Sequence, residues 1–191
     1  MFVGAAALVS VCACGEARRT AEGKMNIELE SESPETRLKA SAAVVAARDS
    51  TIRELEASAR KYLAVEDRRG TVKDLMLLMG RLRASECVEF LVSQLTFEVY
   101  YKETKRPQTT KDLYPAVQAL IDIGSPAVAP TLRRLAGEDG EVLQRCGSTV
   151  LREVLGPDLA RQAVELESAR TGDAQAKGRL GRVAGLVAEV Q

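Results

Sequence analysis

Residues 114–135, YPAVQALIDIGSPAVAPTLRRL, decide the fold. Val117, Leu120 and Ile121 recur at helical spacing and give a first short helix one apolar stripe. Ile123-Gly124 ends that helix, because glycine takes a left-handed backbone at little steric cost. Ser125 and Pro126 suit the N-cap and first turn of a second helix, whose buried face is expected at Val128, Leu132 and Leu135. Pro130 is out of place on this reading, since proline beyond the first turn removes a helical hydrogen bond.

The pattern recurs on both sides. Val72, Leu75, Met76, Met79 and Leu82 form one stripe, and Val88, Leu91, Val92 and Leu95 form its partner. An offset of 40 residues lays Val88 on Val128, Val92 on Leu132 and Leu95 on Leu135. A third copy reads Val142, Leu143, Cys146, Val150 and Val154, then Gly156-Pro157, then Leu159, Ala163, Val164 and Leu166. Helix pairs of this size cannot bury their stripes alone, so neighbouring pairs supply the core. The expected fold class is all-α, a short α-solenoid of antiparallel helix pairs.

The hinge Ile123-Gly124-Ser125-Pro126 followed by Ala127-Val128-Ala129-Pro130 resembles that of a HEAT repeat, and the resemblance covers roughly residues 55–166. It implies a protein-binding scaffold with a concave ridge of second helices. On this chain that ridge would carry Glu89, Ser93 and Gln94, then Thr131, Arg133 and Arg134, then Arg161 and Glu165. HEAT-like repeats also occur in bilin lyases and in a family of DNA glycosylases. Neither offers a motif that can be placed here, and the glycosylase reading requires a strongly basic groove.

Outside the repeats, residues 1–13 are apolar and uncharged, too short a run for a bilayer span of about 20 residues. They resemble the core of a bacterial export signal. Val11-Cys12-Ala13-Cys14-Gly15 resembles a lipoprotein processing site with Cys14 as the lipidated residue and Cys12 as a second candidate. No basic residue precedes Arg18, and Val11 stands where leucine is usual. The alternative is an apolar N-terminus on a cytoplasmic protein. Residues 15–33 alternate charge blocks with little apolar content, as a flexible tether would. The expected organisation is a signal over 1–14, a tether over 15–33 and a helical domain over 34–191 with capping helices at its ends.

Within that domain a helix is expected from Pro34 to about Arg48. Thr51 with Glu54 then makes a capping box for another helix through Ile52, Leu55, Ala59, Tyr62 and Leu63. At the C-terminal end, Thr171-Gly172 stops a helix, Asp173 caps the next, and Ala176, Leu180, Val183, Leu186, Val187 and Val190 form its apolar face. Gly178, Gly181 and Gly185 weaken that helix by about 1 kcal/mol each relative to alanine.

Composition removes several function classes. The chain has no histidine, which excludes histidine-based nucleophile activation, general bases and metal ligation. Lys plus Arg equals Asp plus Glu at 27 each, so no overall field favours nucleic acid. No C-x-x-C and no phosphate-cradling glycine loop is present, and neither a cofactor nor a catalytic set is expected. Cys87 and Cys146 read as half-buried free thiols, with a disulfide as the alternative in an exported protein. Residues 98–111, EVYYKETKRPQTTK, form a connection longer than a solenoid needs. Its Tyr100, Tyr101, Lys102 and Arg106 combine ring area with charge, as partner-binding surfaces do. The expected partner is another protein, with the membrane reached only through lipid on Cys14.

Overall fold

The computed structural model describes residues 34–99 and 109–188, and every described element is helical. The chain divides into two units at Thr51/Ile52. Of the first, the described part is helical throughout. Helix α1 is Pro34–Leu63, unbroken at the expected capping box. Thr51 Oγ1 donates to the Ala47 carbonyl at 2.9 Å, and Ser50 Oγ donates to the same oxygen at 3.0 Å. A hydroxyl turned back onto the preceding turn leaves the helix running, whereas a cap needs it turned forward.

The second unit continues with α2 (Arg69–Arg81), α3 (Val88–Ser93), α4 (Thr110–Leu113), α5 (Pro115–Ile123), α6 (Val128–Gly137), α7 (Glu141–Leu155), α8 (Pro157–Arg170) and α9 (Ala174–Ala188). The 40-residue offset is visible in the backbone. A 3-10 turn at Ser85–Cys87 leads into α3, and a 3-10 turn at Ser125–Ala127 leads into α6. Cys87 and Ala127, Leu91 and Thr131, and Leu95 and Leu135 occupy matching, fully buried positions. The 3-10 turn also accounts for Pro130. Because α6 starts at Val128 rather than at Pro126, Pro130 falls in the first turn, where its missing N–H has no helical partner to lose. Ser125 makes no side-chain cap.

Gly124 (φ 86°, ψ −139°) and Gly156 (φ 79°, ψ 159°) share one conformation. It is not the left-handed helical cap expected from sequence but the extended positive-φ region open essentially to glycine alone. Each still donates its N–H to the carbonyl four residues back, Leu120 and Arg152 respectively, at 3.0 and 2.8 Å. Each then swings the chain directly into the next helix. Arg83 does the equivalent work in the first copy with φ 48°.

One core runs through the second unit, from Ile52 and Ala59 of α1 to Val187 of α9. Two close approaches set its geometry. Gly80 of α2 lies against the backbone of Ala119 in α5, and Gly147 of α7 lies against the side chain of Leu135 in α6. Helix α7 is buried over much of its circumference, including Gln144, Ser148 and Leu151, because α5, α6, α8 and α9 all pack on it. Helix α9 is capped by Asp173, whose Oδ1 accepts from the Gln175 N–H at 2.9 Å, and it covers α6, α7 and α8.

Four expected stripe members sit elsewhere. Leu82 is the C-cap of α2 and is 38% exposed, and Val142 is exposed at the start of α7. Leu159 and Leu166 are 57% and 56% exposed, because α8 turns inward Ala160 together with Val164, the one expected stripe member it fully buries. Val190 lies outside the described residues.

Candidate functional site

Helices α3 and α6 follow equivalent turns and pack on each other, leaving a groove of about 320 Å³ between them. Val92, Pro130 and Gly137 contribute its apolar part, and Glu89, Ser93, Arg133, Arg134 and Glu138 its polar part. Arg133 Nη2 donates to Glu89 Oε1 at 2.5 Å across the groove. Both side chains remain mostly exposed, so the pair contributes at most about 1 kcal/mol and can exchange partners readily. Charge in the groove is balanced, two carboxylates against two guanidiniums.

Arg134 has a different job. Its Nη1 donates to the Val92 carbonyl at the end of α3, and its Nη2 pairs with Glu138 at 3.1 Å. The end of a helix leaves carbonyls without intrahelical partners and concentrates negative dipole there, so a guanidinium is well placed. The device recurs. Arg179 of α9 donates from Nε to the Ala136 carbonyl of α6 at 2.7 Å, and Arg69 of α2 donates to the Glu98 carbonyl just beyond α3. Arg134 and Arg179 thus tie the ends of α3 and α6 to later helices, and Arg69 ties the segment after α3 back to α2.

The sequence-derived ridge is therefore only partly a surface. Ser93 is exposed, with its hydroxyl donating to the Phe90 carbonyl at 2.6 Å. Gln94 is half-buried and donates to Ser93 Oγ at 3.0 Å, outside the groove lining. Thr131 is fully buried, which removes it from the ridge; it occupies the core position that Leu91 fills one copy earlier. Arg161 is exposed on α8 beside Glu165 at 3.8 Å and does not line the groove. Cys14 and the loop residues Tyr100, Tyr101, Lys102 and Arg106 lie outside the described residues.

Cys87 and Cys146 are free thiols at 0% exposure, rather than half-buried. Burial pushes each up to about 12; for Cys87 the neighbouring Glu56 carboxylate adds to the effect. A thiol held neutral in this way is unreactive. Among the described residues no group of three or more Cys, Asp and Glu side chains is placed to hold a metal ion, and no helix is long and apolar enough to cross a membrane.

The chain was compared with protein-family models, with curated proteins and with solved structures, and none matches.

Proposed function

We propose that this protein is a non-catalytic scaffold of HEAT-like helix pairs in a short solenoid, and that it holds another protein along the α3–α6 groove. The observation that carries this reading is the equivalence of α3 and α6. Two helices entered through the same 3-10 turn, 40 residues apart, lie side by side and present Glu89, Ser93 and Arg133 to solvent over an apolar floor. A surface of that kind offers repeated contacts to an extended partner. Its balanced charge suits a polypeptide better than a polyanion. The Tyr100-Tyr101 loop, joining the first copy to the second, would add aromatic contact area. Lipid on Cys14 would tether the scaffold to a membrane, with residues 15–33 as the spacer.

Replacing Glu89, Ser93, Arg133, Tyr100 and Tyr101 together by Ala tests the surface. Arg134 is left intact because it serves the end of α3. Capture of the native partner should be lost while thermal unfolding stays close to wild type for the Glu89, Ser93 and Arg133 changes, which are exposed and usually shift stability by about 0.5 kcal/mol or less each. Capture with undiminished affinity would remove the groove from the account.

A further inference from the structure

The outer side of α8 is apolar where a surface helix is ordinarily polar. Leu159, Ala163, Leu166 and Arg170 stand at i, i+4, i+7 and i+11 and share one face of the helix. Ala160 and Val164 are turned inward. Ala163 is half-buried at the middle of the outer face, between two leucines that are each more than half exposed. One exposed leucine is ordinary, but two at this spacing, with a small residue between them, form a seam of the kind that packs on another helix. Beside it a mostly apolar groove of about 350 Å³ runs between α8 and α9, with Ala169, Leu180 and Ala184 in its walls.

The charges at the two ends of the seam say what covers it. Asp158 stands in the first turn of α8 and Arg170 in the last. Both are exposed, and neither makes an ion pair or side-chain hydrogen bond among the described residues. The other pair on this helix, Arg161 and Glu165, is already satisfied within α8 at 3.8 Å. A second α8 laid antiparallel along the seam sets Leu159 of each copy against Leu166 of the other, with Ala163 near the two-fold axis. It also carries each Arg170 to the end where Asp158 of the other copy stands. Glu167 lies half a turn round the helix from Asp158, so this pairing brings no two carboxylates together. A parallel arrangement would set Asp158 beside Asp158 and align the two helix dipoles, both unfavourable.

We propose that two copies of this chain form a symmetric dimer by packing α8 against α8 antiparallel, through Leu159 and Leu166, with Asp158 and Arg170 fixing the register. The α3–α6 groove shares no residue with this contact, so the dimer stands or falls independently of the protein partner.

Sedimentation velocity of the full chain over a dilution series tests it. A reversible monomer–dimer equilibrium in the micromolar range is expected, because one helix pair and its margins make a small interface. Leu159→Gln with Leu166→Gln should weaken it by about tenfold or more, with unchanged helical circular dichroism, since both leucines are exposed in the single chain. Asp158→Arg and Arg170→Asp should each weaken self-association. An equimolar mixture of those two variants should restore it, because only the mixed dimer sets opposite charges together at both ends. A chain that stays monomeric throughout, undiminished association of the double leucine variant, or a mixture no more associated than either charge variant alone would overturn the proposal.

Discussion

A Cβ added to Gly80 would lie 2.7 Å from the Cα of Ala119. The atom in the way is backbone, so α2 and α5 would have to separate to admit even one methyl. Alanine raises intrinsic helix stability by about 1 kcal/mol over glycine, but overpacking a tight contact costs about 1–3 kcal/mol. Gly80→Ala is therefore expected to lower stability by up to about 2 kcal/mol. Gly178 on α9 has nothing within 4 Å of the same added atom. Gly178→Ala should raise stability by about 0.5–1 kcal/mol. Urea unfolding of the two variants measures both signs, and a stabilised Gly80→Ala protein would refute the close approach.

Thr131 carries a second prediction. Its hydroxyl is buried and, among the described residues, has no hydrogen-bond partner. Leaving such a group unsatisfied costs about 1–3 kcal/mol, and valine has nearly the same shape without it. Thr131→Val should raise the urea midpoint, by an amount equivalent to about 1 kcal/mol, at unchanged m value. A loss of stability would mean the hydroxyl is doing structural work.

The two-helix hinge, its 40-residue recurrence and, Leu82 apart, the apolar positions of α2, α3, α5 and α6 were legible from sequence. Glycine at 124 and 156 and paired apolar stripes leave few alternatives there. The unbroken α1 was not, because Ser50 and Thr51 can cap a helix or fold back on it with the same atoms. On α8 Val164 was legible, but Leu159 and Leu166 lie outside the buried face, which Ala160 completes. Thr131 could have been placed inside, since the offset that aligns Val92 with Leu132 also lays it on Leu91.

The buried thiols make stability depend on pH in the alkaline range. Cys87 and Cys146 ionise near 12 when folded against an ordinary 9.0. Below 9 both states hold the proton and the preference for the neutral thiol is fully present. Between about 9 and 12 the unfolded chain loses protons that the folded chain keeps, so stability falls as pH rises, by at most about 1.4 kcal/mol per pH unit per thiol. Urea midpoints at pH 8 and pH 10 should differ less in a Cys87→Ala, Cys146→Ala protein than in wild type. In a Cys12→Ser, Cys14→Ser background an aromatic disulfide reagent at pH 8 should label neither Cys87 nor Cys146 until urea is added; rapid labelling of that folded protein would place at least one of the two at the surface.

The central claim, that α3 and α6 hold a protein partner between them, is tested most directly by photo-crosslinking from within the groove. A benzophenone side chain at Ser93 in the native host should give one dominant adduct, identified by mass spectrometry and weakened by Arg133→Asp. The same group at exposed Gln162 on α8 should give none of that adduct. No adduct from Ser93, or the same adduct in equal yield from Gln162, would contradict the account.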